Sequence, residues 1–92
     1  MITKKSVAHL PSQPGIYIFY QGELPIYIGK SINIKTRVIS HIASAELSRK
    51  EALIVGDADR VEATTTLSDF DAIVLESKLI RVHKPKYNVI WK

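Results

Sequence analysis

The chain has 92 residues, enough for one domain (residues 1–92). It has no apolar stretch of ~18 residues, and its first residues do not resemble a signal peptide. We therefore expect a cytoplasmic protein without a membrane partner. It contains no cysteine, which excludes disulfide bonds and thiolate metal sites, and its 46% hydrophobic residues are normal for a globular core. The formal net charge is +4, and bases outnumber acids in residues 1–45 and 68–92, which indicates one positively charged face.

Two strands joined by a tight loop are predicted near the N-terminus. Residues 9–15 are rich in turn formers and lead into residues 16–20, which are β-branched and aromatic, as is typical of a strand. Residues 21–25 contain a glycine and a proline and predict a hairpin loop. Residues 26–28 then return as a second strand, antiparallel to the first.

A change of period after the hairpin predicts a helix over residues 33–43. One apolar stripe recurs at i, i+4 and i+8 and consists of Ile34, Val38 and Ile42. Asn33 or Ser31 is the expected N-cap, because short polar side chains satisfy the free amides of a first helical turn.

A second helix and a third strand are predicted in the middle of the chain. Residues 44–55 indicate a shorter helix that ends at Gly56. Residues 61–67 alternate and are rich in threonine, which favours a strand.

The last predicted helix covers residues 69–82. Residues 68–71 resemble a capping box with aspartate at its fourth position, and Lys84-Pro85 ends the helix. Its apolar face is expected to contain Ala72, Leu75, Leu79 and Val82. Residues 86–91 are expected to form an ordered tail, because Val89, Ile90 and Trp91 are poorly suited to solvent. The predicted fold is α/β (α+β), a small three-stranded antiparallel sheet flanked by helices in the order β-β-α-α-β-α.

Motifs spread over nearly the whole chain resemble the GIY-YIG nuclease superfamily. In chain order they are Gly15-Ile16-Tyr17 after a Leu10-Pro11 lead, Tyr27-Ile28-Gly29-Lys30-Ser31, Arg37 with His41, Leu75-Glu76-Ser77-Lys78, and Lys84-Pro85-Lys86-Tyr87-Asn88. The last motif is typical of the branch formed by the N-terminal nuclease domain of the UvrC excision-repair endonuclease and its stand-alone relatives. The resemblance implies a GIY-YIG fold and hydrolysis of one DNA strand per active site, with one Mg²⁺ or Mn²⁺.

The resemblance implies that one of two tyrosines, Tyr17 or Tyr27, acts as the general base or assists it. A free phenol has a pKa of ~10, so a base of this kind needs positive charge nearby, which Lys30, Arg37 and a metal could supply. The residues do not decide which tyrosine takes the proton.

Arg37 and His41 are four residues apart and therefore project from one helix face. The planar guanidinium group of Arg37 can bind two phosphate oxygens. His41 could share a proton with a tyrosine or with the leaving oxygen. The UvrC branch commonly has tyrosine at this position, whereas homing and restriction relatives have histidine, so the role of His41 is left open.

Glu76 lies in or beside the apolar stripe of the last helix, where an unpaired carboxylate is costly. The resemblance implies that it is the metal ligand, and a single hard oxygen ligand suits Mg²⁺, which keeps most of its waters. The alternative is a salt bridge with Lys78 or with a neighbouring basic residue. Asn88 is expected to hold the tail near the phosphate or the metal waters and to complete the catalytic set.

Four residues are candidate nucleic-acid ligands, namely Lys30, Ser31, Lys35 and Arg37. DNA is the expected partner. A chain of 92 residues has little beyond a catalytic unit, so we expect specificity from a partner protein, a missing domain or a homo-oligomer. The alternative function is a non-catalytic adaptor with the same fold, which would bind nucleic acid without any response to Mg²⁺. The sequence leaves open repair, restriction, recombination and mobile-element roles.

Overall fold

The computed structural model describes residues 2–91, which form an antiparallel sheet with helices on both faces. The elements in chain order are β1 (Gly15–Gln21), β2 (Leu24–Ser31), α1 (Ile34–Ser44), α2 (Arg49–Asp57), β3 (Arg60–Thr65), α3 (Asp69–His83) and α4 (Lys86–Ile90). The predicted three-stranded sheet and the order β-β-α-α-β-α are confirmed, and α4 is a short helix that the sequence did not predict.

The sheet has the order β2-β1-β3, so β1 is the central strand and contributes side chains to two cores. Alternation along β1 directs Tyr17 and Phe19 to one face and Ile16 and Ile18 to the other. The first face is covered by α1, α2 and α4 together with the N-terminal residues Ile2, Val7 and Leu10. The second face is covered by α3, which packs with Ala72, Leu75, Leu79 and Ile80.

An irregularity in β2 determines which side chains face the first core. Phe19 pairs with Tyr27 but Tyr20 pairs with Pro25, so Ile26 is an extra residue at a β-bulge. Because of the bulge, the neighbours Ile26 and Tyr27 both contact the core under α1 and α2. Tyr27 therefore lies on the same side of the sheet as Tyr17.

The start of α2 differs from the prediction. The helix begins at Arg49 rather than at residue 44, because Ser48 has an extended backbone and its side chain accepts the amide hydrogen of Glu51. An N-cap with this geometry interrupts the helical backbone. Gly56 is a residue of the helix and not the position that ends it.

Three apolar residues are more exposed than the sequence predicted. Val82 is 65% exposed, because α3 reaches the second core through Ala72, Leu75, Leu79 and Ile80. Val89 and Ile90 are also exposed, since α4 packs through Tyr87, whose ring stacks on that of Trp91. Between residues 2 and 91, no helix is both long and apolar enough to cross a membrane.

Candidate active site

Two tyrosines of the hairpin lie close together on the face covered by α1 and α2. Tyr17 is paired with Gly29, so Tyr17 and Tyr27 are diagonal rather than directly opposite, and their ring centroids are 6.5 Å apart. The Tyr17 ring packs across Gly29, where a Cβ atom would lie 2.3 Å from the ring and from the hydroxyl oxygen. Tyr17 is buried, whereas Tyr27 is half-buried.

His41 lies beneath these tyrosines and is 1% exposed. The rings of Tyr17, Phe19 and Tyr27 surround it in edge-to-face geometry, with centroid distances of 5.4–5.6 Å. Its Nε2 atom is 2.7 Å from the Tyr17 hydroxyl oxygen, and its Nδ1 atom is hydrogen-bonded to the Glu51 carboxylate. Burial lowers the pKa of His41, and Glu51 opposes that shift, so the imidazole is neutral at neutral pH.

Arg37 lies one turn before His41 on α1 and is exposed to solvent. Burial raises the pKa of Tyr17 strongly, with a smaller contribution from Tyr27, and the positive charge of Arg37 opposes that rise. Burial also raises the pKa of Tyr27, as do Glu51 and Glu76, again against Arg37. Arg37 is therefore close enough to act electrostatically on both tyrosines, while its guanidinium group can still bind an anion from solvent.

Glu76 projects from α3 and is half-buried. Burial raises the pKa of its carboxyl group, and the positive charge of Lys30 lowers it. The alternative salt bridge with Lys78 is not formed, and no ion pair of Glu76 is found in residues 2–91. The charge of Glu76 raises the pKa of Tyr27, and α3 packs against β2, so Glu76 lies on the helix next to the strand that carries Tyr27.

Asn88 connects α4 to the free edge of β2. Its Oδ1 accepts the Ile28 amide hydrogen at 2.8 Å, and its Nδ2 donates to the Ile28 carbonyl oxygen at 2.9 Å. Both backbone groups of Ile28 point away from β1 and would otherwise lack a partner within the sheet. The Asn88 amide therefore holds the strand that carries Tyr27.

The residues predicted to contact nucleic acid differ in whether their side chains already bond other groups of the protein. Lys30 donates to Asp69 Oδ1 at 3.4 Å in a half-exposed pair. The Ser31 hydroxyl donates to the Asn33 carbonyl oxygen and accepts the Asn33 amide hydrogen, which shapes the turn before α1. Asn33 itself is the N-cap. Lys35 lies on the first turn of α1, and within residues 2–91 its side chain has no ion pair.

Glu51 is the site residue that sequence reasoning missed. It is the fourth residue of Ser48-Arg49-Lys50-Glu51, which has the form of a capping box. That signal predicts a local role at the start of a helix and contains nothing that points to His41, ten residues earlier. Only the packing of α2 against α1 shows the contact.

The donor chemistry of the site fits a cation that needs few protein ligands. No group of three or more acidic, histidine or cysteine side chains able to hold a metal is found in residues 2–91. Glu76 is a single half-buried carboxylate on the helix that packs against β2, and it has no ion pair within residues 2–91. One hard oxygen ligand of this kind suits Mg²⁺, which retains several waters.

Comparison with known proteins gives consistent matches over most of the chain. The family model of the UvrC-like GIY-YIG domain matches residues 13–89. The UvrABC system protein C of Aquifex aeolicus (strain VF5) is 41% identical over 86 residues, which covers 94% of this chain and 15% of that protein. The protein of the same name from Hydrogenobaculum sp. (strain Y04AAS1) is 48% identical over 82 residues, covering 89% of this chain and 14% of that protein.

A solved structure with the same fold is the N-terminal GIY-YIG endonuclease domain of UvrC from Thermotoga maritima, bound to its catalytic divalent cation, magnesium. It matches with a TM-score of 0.84 and 34% identity, over 95% of this chain and 98% of that domain. The chain thus corresponds to nearly all of that domain but spans only 14–15% of the length of the two curated relatives.

Proposed function

Because this chain belongs to the family of UvrC-like GIY-YIG domains, we propose that it is a divalent-metal-dependent DNA endonuclease domain that nicks one strand at each active site. The observation that carries the proposal is that two tyrosines, an exposed arginine and a glutamate without an ion pair in residues 2–91 come together near β2. This convergence occurs in a fold that matches almost the whole of a magnesium-bound endonuclease domain.

Mg²⁺ or Mn²⁺ is the cofactor that this arrangement fits, with Glu76 as its protein ligand. When bound, a divalent cation polarises the scissile phosphate and lowers the pKa of a coordinated water. Lys30 lies near Glu76 and favours the ionised carboxylate that binds a cation.

Arg37 is the residue that neutralises charge on the phosphate. Its side chain is exposed, and its planar group can donate two parallel hydrogen bonds to phosphate oxygens. These bonds strengthen as negative charge develops in the transition state, so Arg37 contributes to the chemical step more than to binding.

The hydroxyl oxygen of one of the two tyrosines accepts the proton of the attacking water. Burial raises the pKa of both tyrosines, so neither is ionised before the reaction. A neutral phenol can accept a proton only if its own proton moves elsewhere. Tyr17, which is hydrogen-bonded to His41, has such an acceptor beside it.

DNA repair is the process that the curated relatives indicate, since they are UvrABC system proteins. The matched domain is a small part of their length, and we propose that recognition of the DNA site comes from the remainder of a longer protein or from a partner. The catalytic domain alone is then expected to nick slowly and with little sequence preference.

The experiment is conversion of supercoiled plasmid to open circles with Mg²⁺, with Mn²⁺ and with EDTA. We expect open circles before linear DNA, and no conversion in EDTA. Arg37→Ala should lower the nicking rate by about 10²–10³-fold, as expected for loss of one charge-stabilising donor. Arg81→Ala removes the same charge from an exposed position at the end of α3 and should leave the rate unchanged. Nicking that persists in EDTA would contradict the proposal.

A further inference from the structure

The position of Glu51 is unusual for the fourth residue of a capping box. In that motif the glutamate side chain returns to the backbone amide of the N-cap residue. Here the Ser48 amide already donates to the Ser44 carbonyl oxygen at 2.9 Å. The Glu51 carboxylate is therefore free to leave its own helix, and it binds His41 with its side chain only 15% exposed.

The contact with Glu51 determines which nitrogen of His41 carries the proton. A carboxylate accepts hydrogen bonds and has no proton to donate, so the Nδ1 atom that faces it must be the donor. A neutral imidazole has one N–H, so Nε2 is left with a lone pair. The Tyr17 hydroxyl, 2.7 Å from Nε2, then donates its proton to His41.

The same chain of bonds determines what Tyr17 offers to the active site. Its hydroxyl hydrogen points towards His41, so its oxygen lone pairs are left to accept a hydrogen bond from another group. On the basis of the proposed endonuclease activity, we propose that Glu51 is a positioning residue, which acts through His41 to make the Tyr17 oxygen the proton acceptor for the attacking water.

The proton transfers balance without any additional reactant. The attacking water loses a proton to the Tyr17 oxygen as its own oxygen bonds to phosphorus. The original Tyr17 hydroxyl proton moves to His41 Nε2, and the imidazolium that forms is neutralised by Glu51. Tyr17 is a neutral phenol before and after, so its buried oxygen never carries a full negative charge.

Another tyrosine of the molecule, Tyr87, bonds a carboxylate directly. The Tyr87 hydroxyl donates to Asp57 without an intervening histidine. That hydrogen bond raises the pKa of Tyr87 to about 12, because it stabilises the protonated phenol. Burial raises the pKa of Tyr17 as well, so the difference lies in the partner: His41 is a neutral acceptor that can take the phenol proton, and Glu51 neutralises the resulting charge.

The first test is the position of the His41 proton, read from ¹⁵N chemical shifts of the imidazole ring in histidine-labelled protein. We expect neutral His41 with its proton on Nδ1 in the wild-type chain. Glu51→Gln keeps the shape of the side chain, but the glutamine amide can either accept or donate a hydrogen bond. In this variant we therefore expect both neutral tautomers of His41, with the proton on Nδ1 or on Nε2. A proton on Nε2 in the wild type, or an unchanged tautomer in Glu51→Gln, would overturn the proposal. This readout does not depend on DNA cleavage.

The second test is a double-mutant cycle on plasmid nicking. Glu51→Gln should lower kcat by about 10–100-fold with KM unchanged, the range for loss of an outer hydrogen-bond partner that orients a histidine. The same change in a Tyr17→Phe background should have less than about a threefold effect, because Glu51 acts through Tyr17. Glu46→Gln removes a charge from an exposed residue close in sequence and should leave kcat unchanged.

Equal losses from Glu51→Gln in both backgrounds would show a role independent of Tyr17 and would also overturn the proposal. Absence of nicking by the wild-type chain would contradict the proposed endonuclease function alone. The His41 tautomer would then still decide the role of Glu51.

Discussion

Gly29 is a residue at which one added atom would disturb the candidate site. A Cβ at this position would lie 2.3 Å from both the ring and the hydroxyl oxygen of Tyr17. Since Tyr17 is buried, its ring cannot move away without displacing the core. The glycine is thus required by the close approach of the tyrosine on the neighbouring strand.

Gly29→Ala is expected to destabilise the fold by about 1–3 kcal/mol, the usual range for overpacking, and to lower nicking further by displacing the Tyr17 hydroxyl. Gly56→Ala is the matched control. Gly56 lies in α2 with nothing within 4 Å of an added Cβ, so alanine should stabilise by about 0.5–1 kcal/mol. Urea unfolding of the two variants measures the difference. Equal stabilities would show that the Tyr17 contact does not constrain position 29.

His41 gives the fold a dependence on pH. Burial lowers its pKa in the folded state, so the folded chain binds fewer protons than the unfolded chain, whose histidine has the ordinary value of ~6.5. The contribution of neutral His41 to the free energy of unfolding is therefore complete above pH ~6.5 and is lost as the pH falls below that value. The charged neighbours that set this balance are Glu51, Arg37 and Lys50.

We expect His41→Tyr to have a weaker loss of stability between pH 7 and pH 5 than the wild-type chain. The difference in slope should be at most about 1.4 kcal/mol per pH unit, the limit for one proton. Tyrosine does not titrate in this range, and carboxylates contribute to both slopes. Urea unfolding at several pH values measures the free energy of unfolding of both proteins. If the two plots of this free energy against pH run parallel, His41 has the same pKa in the folded and the unfolded chain, which would contradict the prediction.

At the scale of elements, the sheet and the helices that carry the site were predictable because their signals are local. The hairpin follows from β-branched residues around Gly22, and α1 follows from the spacing of Ile34 and Val38. The sequence did not predict that α2 begins only after Ser48. Ser44 and Ser48 are both suitable N-cap residues, and residue type alone does not decide between them. The contacts of Glu51 with His41 and of Asn88 with Ile28 join distant residues, and no local pattern encodes such pairs.

The hydrogen bonds of Asn88 make α4 a part of the sheet edge. Asn88→Ala removes two bonds to Ile28 and leaves its backbone groups without that partner, so we expect a loss of about 1–3 kcal/mol. Hydrogen exchange of the Ile28 amide should become faster than in the wild type. Val89→Ala, at an exposed neighbour on α4, should change stability by less than about 0.5 kcal/mol. Unaltered protection of Ile28 in Asn88→Ala would contradict this account.

At the scale of the whole molecule, the candidate active site lies where both layers of the fold meet the edge of the sheet. Tyr17, Tyr27 and His41 belong to the layer under α1 and α2, whereas Glu76 comes from α3 on the other face. β2 is an edge strand, so groups from both faces can act on the same side chain. The pKa of Tyr27 reflects both layers, because Arg37 lowers it and Glu76 raises it.

The Glu76 carboxylate is expected to lower the stability of the metal-free fold while being required for metal-dependent nicking. Its carboxylate is half-buried without an ion pair in residues 2–91, and burial raises its pKa, so the charge is unfavourable in the absence of metal. Glu76→Gln should therefore abolish nicking while the melting temperature without metal stays level or rises. Mg²⁺ should raise the melting temperature of the wild-type chain by mass action and leave that of the variant unchanged.

The control variant is Glu62→Gln, which removes an exposed charge from β3 and should both nick DNA and melt at a higher temperature with Mg²⁺, as the wild-type chain does. Thermal melts with and without Mg²⁺, beside plasmid nicking, make the comparison. A Glu76→Gln protein that melts several degrees lower and still nicks DNA would show that the glutamate supports the fold and does not bind the metal.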